Sequence, residues 1–387
     1  MKEDDFQERV TQTHSVAAAN AYRVDLSGVF PAESVEALRK HGLIGLTPYL
    51  VDGEPSPFRM TYAVRRVSSA CGSSGMILAM HLSHLLGLHE AAPRGSRIAR
   101  MLVTEADGQP LFAGITSEAG SASIRESIAF CRDTGDGYLS VTKRTNAASF
   151  LEQADLVAVS ARSKAEASSS DQVLLIARSQ DLTICRTGDW RALGMRGTAT
   201  ISADIECRVE PDQVLQKFGE HLSRSLMPYI QLAWVACWEG ISARAVQLAR
   251  ASVRRLRAKG HSDLVAVRMV RLGEITRRQD LIATLRGGFE NELAAGRNAR
   301  LTGPWPMSFG DLTRRANQLR LSVSQEAVQV AMDALEVTGL VGYLDEERSG
   351  LSLGRNLRDL LSSKVMVSPD SVRITDGLLA LTAHDEA

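Results

Sequence analysis

The run Trp190-Arg191-Ala192-Leu193-Gly194-Met195-Arg196-Gly197-Thr198 is the most specific stretch of this 387-residue sequence, and it lies near the end of a region with the cadence of β-structure. Between about residues 108 and 212, short apolar runs alternate with turn-forming clusters. Residues 138–142 (YLSVT), 156–160 (LVAVS), 173–177 (VLLIA) and 182–185 (LTIC) read as strands, and Thr134-Gly135-Asp136-Gly137 reads as a turn. This spacing predicts an antiparallel barrel or sandwich. Residues 165–171 (AEASSSD) read as an exposed loop.

Outward from this region the pattern becomes helical on both sides. Before it, Pro31 opens a segment with Glu33 in its first turn and Val35 and Leu38 on one face, and Gly42 stops it. A second helix is expected over 74–88, where Ile77, Met80, His81 and His84 recur at spacings of three and four. After it, residues 230–256 and 319–340 form long amphipathic runs, and Pro304-Trp305-Pro306 breaks the region between them. Helices, then strands, then helices is an uncommon order. It divides the chain into a helical region (1–107), a β region (108–212) and a helical bundle (213–387).

Composition narrows the function classes. Hydrophobic residues are 44% and charged residues 23%, ordinary for a globular protein. Lys plus Arg equals Asp plus Glu at 45 each, so no global charge argues for nucleic acid or a membrane surface. Cys71, Cys131, Cys185, Cys207 and Cys237 show no C-x-x-C spacing, which fits reduced thiols in a cytoplasm. The opening MKEDDFQERV lacks the apolar core of a secretory leader, and no apolar run reaches membrane-spanning length. His81 and His84, three apart with no third ligand, make a poor metal site.

Several stretches, in order, resemble the acyl-CoA dehydrogenase superfamily. Cys71-Gly72-Ser73-Ser74 followed by Met80-His81 is similar to a small-residue helix of that family's first domain. Thr116-Ser117-Glu118 with Gly120 and Ser121 is similar to its Thr-Glu-x-x-x-Gly-Ser stretch, one residue shorter. Asp136-Gly137-Tyr138, Lys143 and Ala154-Asp155 follow its progression across two strands. The run from Trp190 to Thr198 is the closest match, and Gly339-x-x-Gly342-Tyr343 with Arg358-Asp359 resembles its last signature. The resemblance implies an α+β fold of N-terminal helical domain, central β-barrel domain and C-terminal four-helix bundle. It also implies a flavin, FAD in preference to FMN, between barrel and bundle, and a homodimer or homotetramer. No G-x-G-x-x-G fingerprint is present, which argues against an NAD domain.

By position, the resemblance assigns Ser117 to the flavin's pyrimidine edge and Ser149 to N5, with Thr116 as a further cofactor-binding residue. Counting from Lys143 gives Ala147 for the second place, whereas counting back from Ala154-Asp155 gives Ser149. Ser121 and Ser123 compete for a phosphate-facing position. Arg257 is the nearest candidate for an arginine that meets the neighbouring subunit's FAD, although the family's Arg-x-Gln-Phe-Gly is not kept here. Residues 50–57 (LVDGEPSP) replace the family's Gly-Gly-x-Gly turn.

The family's usual catalytic glutamate is missing. Its place falls on Val367, and the alternative place, in 227–232 (MPYIQL), carries no carboxylate either. Three readings follow. Another group, Asp370, His81 or Tyr229, serves as base in a dehydrogenase; this is the preferred expectation. Alternatively, the chain resembles the monooxygenase branch, which uses reduced flavin and O2 in a dry pocket. In the third, it is a non-redox relative. Ala79-Met80-His81, Asp171-Gln172-Val173 and Trp234-x-x-x-Trp238-x-Gly240 are similar to a subgroup of specialised metabolism that acts on acyl or aminoacyl thioesters, often tethered to a carrier protein. The basic cluster Arg250, Arg254, Arg255, Arg257 and Lys259 would greet such an acidic carrier. An electron-transfer partner or a flavin reductase is the other expected partner.

Overall fold

The computed structural model describes residues 1–104, 109–121, 123–260, 262–302, 308–346, 348–366 and 369–382. It opens with helices α1 (Glu3–Ser27) and α2 (Ala32–Lys40) and a small hairpin, β1 (Leu50–Val51) with β2 (Glu54–Pro55). Helices α3 (Pro57–Ala70), α4 (Gly72–Ala91) and α5 (Arg97–Thr104) follow. Helix α2 starts and stops where Pro31 and Gly42 predict. The hairpin turns on Asp52 and Gly53, both at positive φ, as a two-residue Asp-Gly turn requires. Helix α3 starts cleanly because Ser56 accepts a hydrogen bond from the Arg59 amide and Pro57 takes the first helical position. Helix α4 is apolar nearly all round, and nearly every residue of it is buried. Such a helix must sit inside the molecule. It does, packed by α3 and by elements of both later regions.

The β region contains β3 (Phe112–Ile115), β4 (Arg132–Asp133), β5 (Leu139–Ala148), β6 (Leu156–Arg162), β7 (Gln172–Arg178), β8 (Leu182–Asp189), β9 (Ile201–Val209) and β10 (Val214–Leu215). They form two four-stranded sheets, ordered β10-β7-β6-β3 and β4-β5-β9-β8, so the barrel is flattened into two layers. Strands β6 and β7 are buried on both faces and read as unbroken apolar runs. Strand β9 alternates, with Ile201, Ala203, Ile205, Cys207 and Val209 inward. One expectation is corrected: β3 pairs with β6 in parallel, not antiparallel. The long connection between them, which carries β4 and β5, supplies the crossover that a parallel pair needs.

The last region begins with α6 (Phe218–His221) and a π-helical turn, Leu222–Leu226, and continues as α7 (Met227–Ala258), α8 (Ser262–Thr302) and α9 (Phe309–Thr338). Helices α10 (Leu340–Tyr343), α11 (Gly354–Leu361) and α12 (Pro369–Thr382) complete it. Helix α7 is the hub, touching α3, α4, α8 and α9. Trp238 is fully buried on α7 and Trp234 packs against it at 6.4 Å between ring centroids, a core pair at i and i+4. No described helix is long and apolar enough to cross a membrane. The Pro304–Pro306 break, Val367 and the division near 107/108 lie outside the described residues.

Candidate functional site

Strand β3 ends at Ile115, and the next residues leave the sheet under the control of a buried ion pair. Lys143, on β5, is fully buried and donates to the Ser160 carbonyl at 2.9 Å and hydroxyl at 3.0 Å. Its ammonium lies 3.8 Å from the buried Glu118 carboxylate. Burial pushes the Lys143 pKa down to about 8, against the pull of Glu118. Glu118 in turn accepts from the Ser127 hydroxyl at 2.7 Å and from the Ile128 and Ala129 amides at 3.0 and 2.7 Å. The Thr-Ser-Glu stretch and the strand lysine thus share one purpose: they fix the loop that follows β3.

That loop presents Ser117. Its hydroxyl lies 3.0 Å from the Thr145 hydroxyl and donates to the Ala147 carbonyl at 3.1 Å. The two counts that disagreed over Ala147 and Ser149 do so for a structural reason. The β5–β9 register shifts between Thr145 and Ala148, so the strand carries a bulge. Ala147 lies beside Ser117, whereas the Ser149 hydroxyl pairs with that of Thr200 at 2.9 Å, and Thr200 meets Thr198 at 2.9 Å. Thr116 is half-buried. Ser121 donates to the Ser123 carbonyl, and the Ser123 hydroxyl accepts from the Arg125 amide, so both serines shape the loop. Arg257 is exposed near the end of α7.

The Leu-Gly-Met-Arg-Gly-Thr run and the Arg-Asp pair are two halves of one clasp. The Asp359 carboxylate is fully enclosed and accepts from the Met195 amide at 2.6 Å. Burial pushes its pKa up to about 6, with the Met195 amide and Arg355 pulling the other way. Gly194 lies so close to the Arg358–Asp359 backbone that a Cβ there would stand 2.6 Å from the Asp359 nitrogen. Arg358 pairs with Asp25, which ties α11 to α1. The Gly339-x-x-Gly342 signature is also steric. Gly339 caps α9 at φ +64°, and a side chain at Gly342 would collide with Thr338.

A cavity of about 290 Å3 opens between the Ser117–Arg125 loop and helices α7, α9 and α12. Sequence reasoning missed most of its wall, because no motif marks residues that converge from four elements. Arg125 bonds Ser223, in the π-helical turn, at 2.7 Å and forms no ion pair with a carboxylate among the described residues. Burial pushes its guanidinium pKa below the usual value. Gln231 is buried in the wall that α7 supplies, and its Oε1 has no partner among the described residues. Asn317 completes the polar side, bonded to Asp376 at 2.8 Å, while Met227, Ile124 and Val372 make the apolar side. Glu118 is the sole carboxylate among the described lining residues, and its oxygens are already held.

None of the three base candidates lines this cavity. His81 sits on α4 with Nδ1 accepting from the Phe112 amide at 2.9 Å, which leaves Nε2 to donate to the Ile44 carbonyl at 2.7 Å. Burial pushes its pKa down to about 4, so it is a neutral core histidine joining α4 to β3. Tyr229 is fully buried between the lining residues Pro228 and Gln231. Asp370 is exposed on α12 and paired with Arg373. Among the described residues there is no His, Cys, Asp and Glu cluster able to hold a metal ion.

The arrangement of helical domain, two-layered β domain and helical bundle is the acyl-CoA dehydrogenase fold. The chain is similar in structure to FMN-bound TdsC from Paenibacillus sp. A11-2, a dibenzothiophene monooxygenase. The TM-score is 0.81 at 18% identity, covering 97% of each chain. It is similar to KijD3 in complex with FMN and a dTDP-amino-keto sugar, with TM-score 0.78 at 18% identity, covering 100% of this chain and 96% of that one. Butyryl-CoA dehydrogenase from Megasphaera elsdenii matches with TM-score 0.76 at 14% identity, covering 98% of this chain and 99% of that one. No protein-family model matches the sequence, and no curated protein matches it.

Proposed function

We propose that this protein is a flavin-dependent monooxygenase acting on a small molecule that carries an anionic group and a hydrogen-bond donor. The observation behind this reading is the cavity wall. It offers the Arg125 cation and the unpartnered Gln231 oxygen, and no free carboxylate among the described residues. Dehydrogenation of a thioester needs a base that takes an α-proton, whereas oxygenation needs a shaped, dry pocket. The monooxygenase TdsC shares the fold, as do KijD3 and the nitrososynthase from Micromonospora carbonacea var. africana.

The residues present fit a flavin. The Ser117 hydroxyl, the Thr145 hydroxyl and the Ala147 backbone form a polar edge beside the cavity, and Ser149, further along the same strand end, pairs with Thr200. When bound, a flavin supplies the redox chemistry with O2. The protein's part is positional. Arg125 holds the anionic group of the substrate, and Gln231 accepts from its amine or hydroxyl. Met227, Ile124 and Val372 exclude water. Either FMN or FAD satisfies this edge; Arg257 is the residue offered to the adenylate of FAD from a neighbouring subunit. Leu340, Tyr343, Val267 and Val270 are exposed, with Gly339 beside Arg268, and form an apolar surface for that second copy to cover. The reduced flavin comes from a separate reductase. The exposed Arg254 and Arg255 suit an acidic carrier protein if the substrate arrives as a thioester.

One observation favours a dehydrogenase as the second reading. Asp376, bonded to the lining residue Asn317, places a carboxylate one step behind the cavity. Rapid mixing of the anaerobically reduced protein with oxygen and candidate amines, sulfides or aryl substrates separates the readings. Products heavier by one oxygen atom support the monooxygenase. Anaerobic bleaching of the oxidised flavin by an acyl thioester, abolished in Asp376→Asn, would establish the dehydrogenase instead. Absence of flavin binding overturns both.

A further inference from the structure

A second cavity, of about 390 Å3, lies between α1, α3, α7, α11 and the loop before α11. It is separate from the first. Gln231 lines one and Arg244 the other, thirteen residues apart on α7, which is about 20 Å at 1.5 Å per residue. Its wall brings together Arg66, Arg244 and Arg355, with His14 beside them, against one described carboxylate, Glu346. That carboxylate is spent: Arg355 grips it through two nitrogens, at 2.8 and 3.3 Å, and gives a third N–H to the Ala70 carbonyl at 3.0 Å.

Arg66 and Arg244 are left without a described acidic partner. The Nε of Arg66 is buried and has no hydrogen-bond partner among the described residues, and among these Arg244 donates to Gln247, at 3.4 Å. Three guanidinium groups share this wall with the single described carboxylate of Glu346, so positive charge is in excess, and a buried unbonded N–H costs about 1–3 kcal/mol. The crowding is felt locally. Burial, then Arg66 and Arg244, push the pKa of His14 below its ordinary value. Partial burial and Arg355 likewise push that of Arg244 down, against the pull of Glu346, while part of the Arg244 side chain remains open to solvent. A dianion with several acceptor oxygens relieves all of this at once, and guanidinium forks match phosphate geometry. The space exceeds what a bare ion fills, so the anion is one end of a larger molecule.

We propose that this cavity is a second binding site, for a phosphoryl group, with Arg66 and Arg244 as its primary ligands and His14 and Gln247 at its edge. Titration calorimetry of the full chain with inorganic phosphate, at constant ionic strength made up with chloride, tests it. Saturable binding to the wild type is expected, weakened at least tenfold in Arg66→Gln/Arg244→Gln. The Arg66→Lys/Arg244→Lys form, which keeps the charge but loses the forks, falls between them and guards against a folding defect in the first variant. Tighter binding of a phosphomonoester such as glycerol 3-phosphate assigns the site to a metabolite; equal affinity assigns it to free phosphate. No saturable binding by the wild type, or equal binding by the glutamine variant, overturns the proposal. So does a change of oligomeric state in the variant without phosphate binding, which would make the pocket a receptor for a carboxylate of a second copy.

Discussion

Replacing Gly194 by alanine tests whether the clasp between the Leu-Gly-Met-Arg-Gly-Thr run and Asp359 holds the β domain to α11. The added methyl would lie inside the Arg358 carbonyl and 2.6 Å from the Asp359 nitrogen, both of them backbone and unable to swing away. One segment must therefore move. Overpacking of this kind costs about 1–3 kcal/mol. The displacement also stretches the 2.6 Å bond from the Met195 amide to the Asp359 carboxylate, a charge-assisted bond worth about 1.5–3 kcal/mol. The two effects act through one contact and do not simply add, so roughly 3–5 kcal/mol is expected within a sum of about 2.5–6 kcal/mol. At about 2 °C per kcal/mol for a chain of this size, the melting temperature falls by about 6–10 °C. Gly287→Ala is the matched control. Gly287 lies inside α8 with nothing within 4 Å of its would-be Cβ, so alanine should stabilise by about 0.5–1 kcal/mol. Both are read by circular dichroism during heating. A Gly194→Ala protein that melts within 2 °C of the wild type would refute the clasp.

Three further outcomes follow from the same contacts. The Asp359 pKa is raised to about 6 in the folded protein, so its contribution to stability is fully present below the ordinary carboxylate value and lost as pH rises through 6. Asp359→Asn, which can still accept from the Met195 amide, should therefore gain on the wild type by up to about 3 kcal/mol between pH 4 and 7 in urea unfolding; parallel profiles would contradict this. His81, with its pKa lowered to about 4, works the opposite way and removes stability as pH falls below 6.5, so the wild-type profile across this window is shallow. Lys143→Met strands the buried Glu118 and should cost about 3–5 kcal/mol, while Lys143→Met with Glu118→Gln should cost less than the sum of the single changes in a double-mutant cycle. Arg125→Gln should raise KM for an anionic substrate at least tenfold with kcat little changed and flavin affinity intact; an equal effect on a neutral analogue would argue against charge recognition.

The sequence by itself determined the order of the regions, because helical and β periodicities are local properties of the chain. It marked α2 by its proline and glycine, the runs that became β5 to β8, and the length of α7. The motifs were legible too, since Thr-Ser-Glu, the strand lysine, Leu-Gly-Met-Arg-Gly-Thr and Arg-Asp keep their spacing along the chain. What those motifs do was decided only by the tertiary structure. Gly194 and Asp359 are far apart in sequence, and only folding shows that one makes room for the backbone beside the other. The disagreement between the counts to Ala147 and Ser149 came from a bulge, which adds a residue without any compositional sign. The parallel pairing of β3 depended on the route of the chain between sheets. The cavity wall was hidden for the same reason: Arg125, Ser223, Gln231 and Asn317 come from different elements and share no pattern. His81, which as a sequence element suggested a base, became a core hydrogen-bonding post once β3 and Ile44 closed around it. Periodicity reports which face of an element is buried, but the chemistry of a site depends on which faces meet.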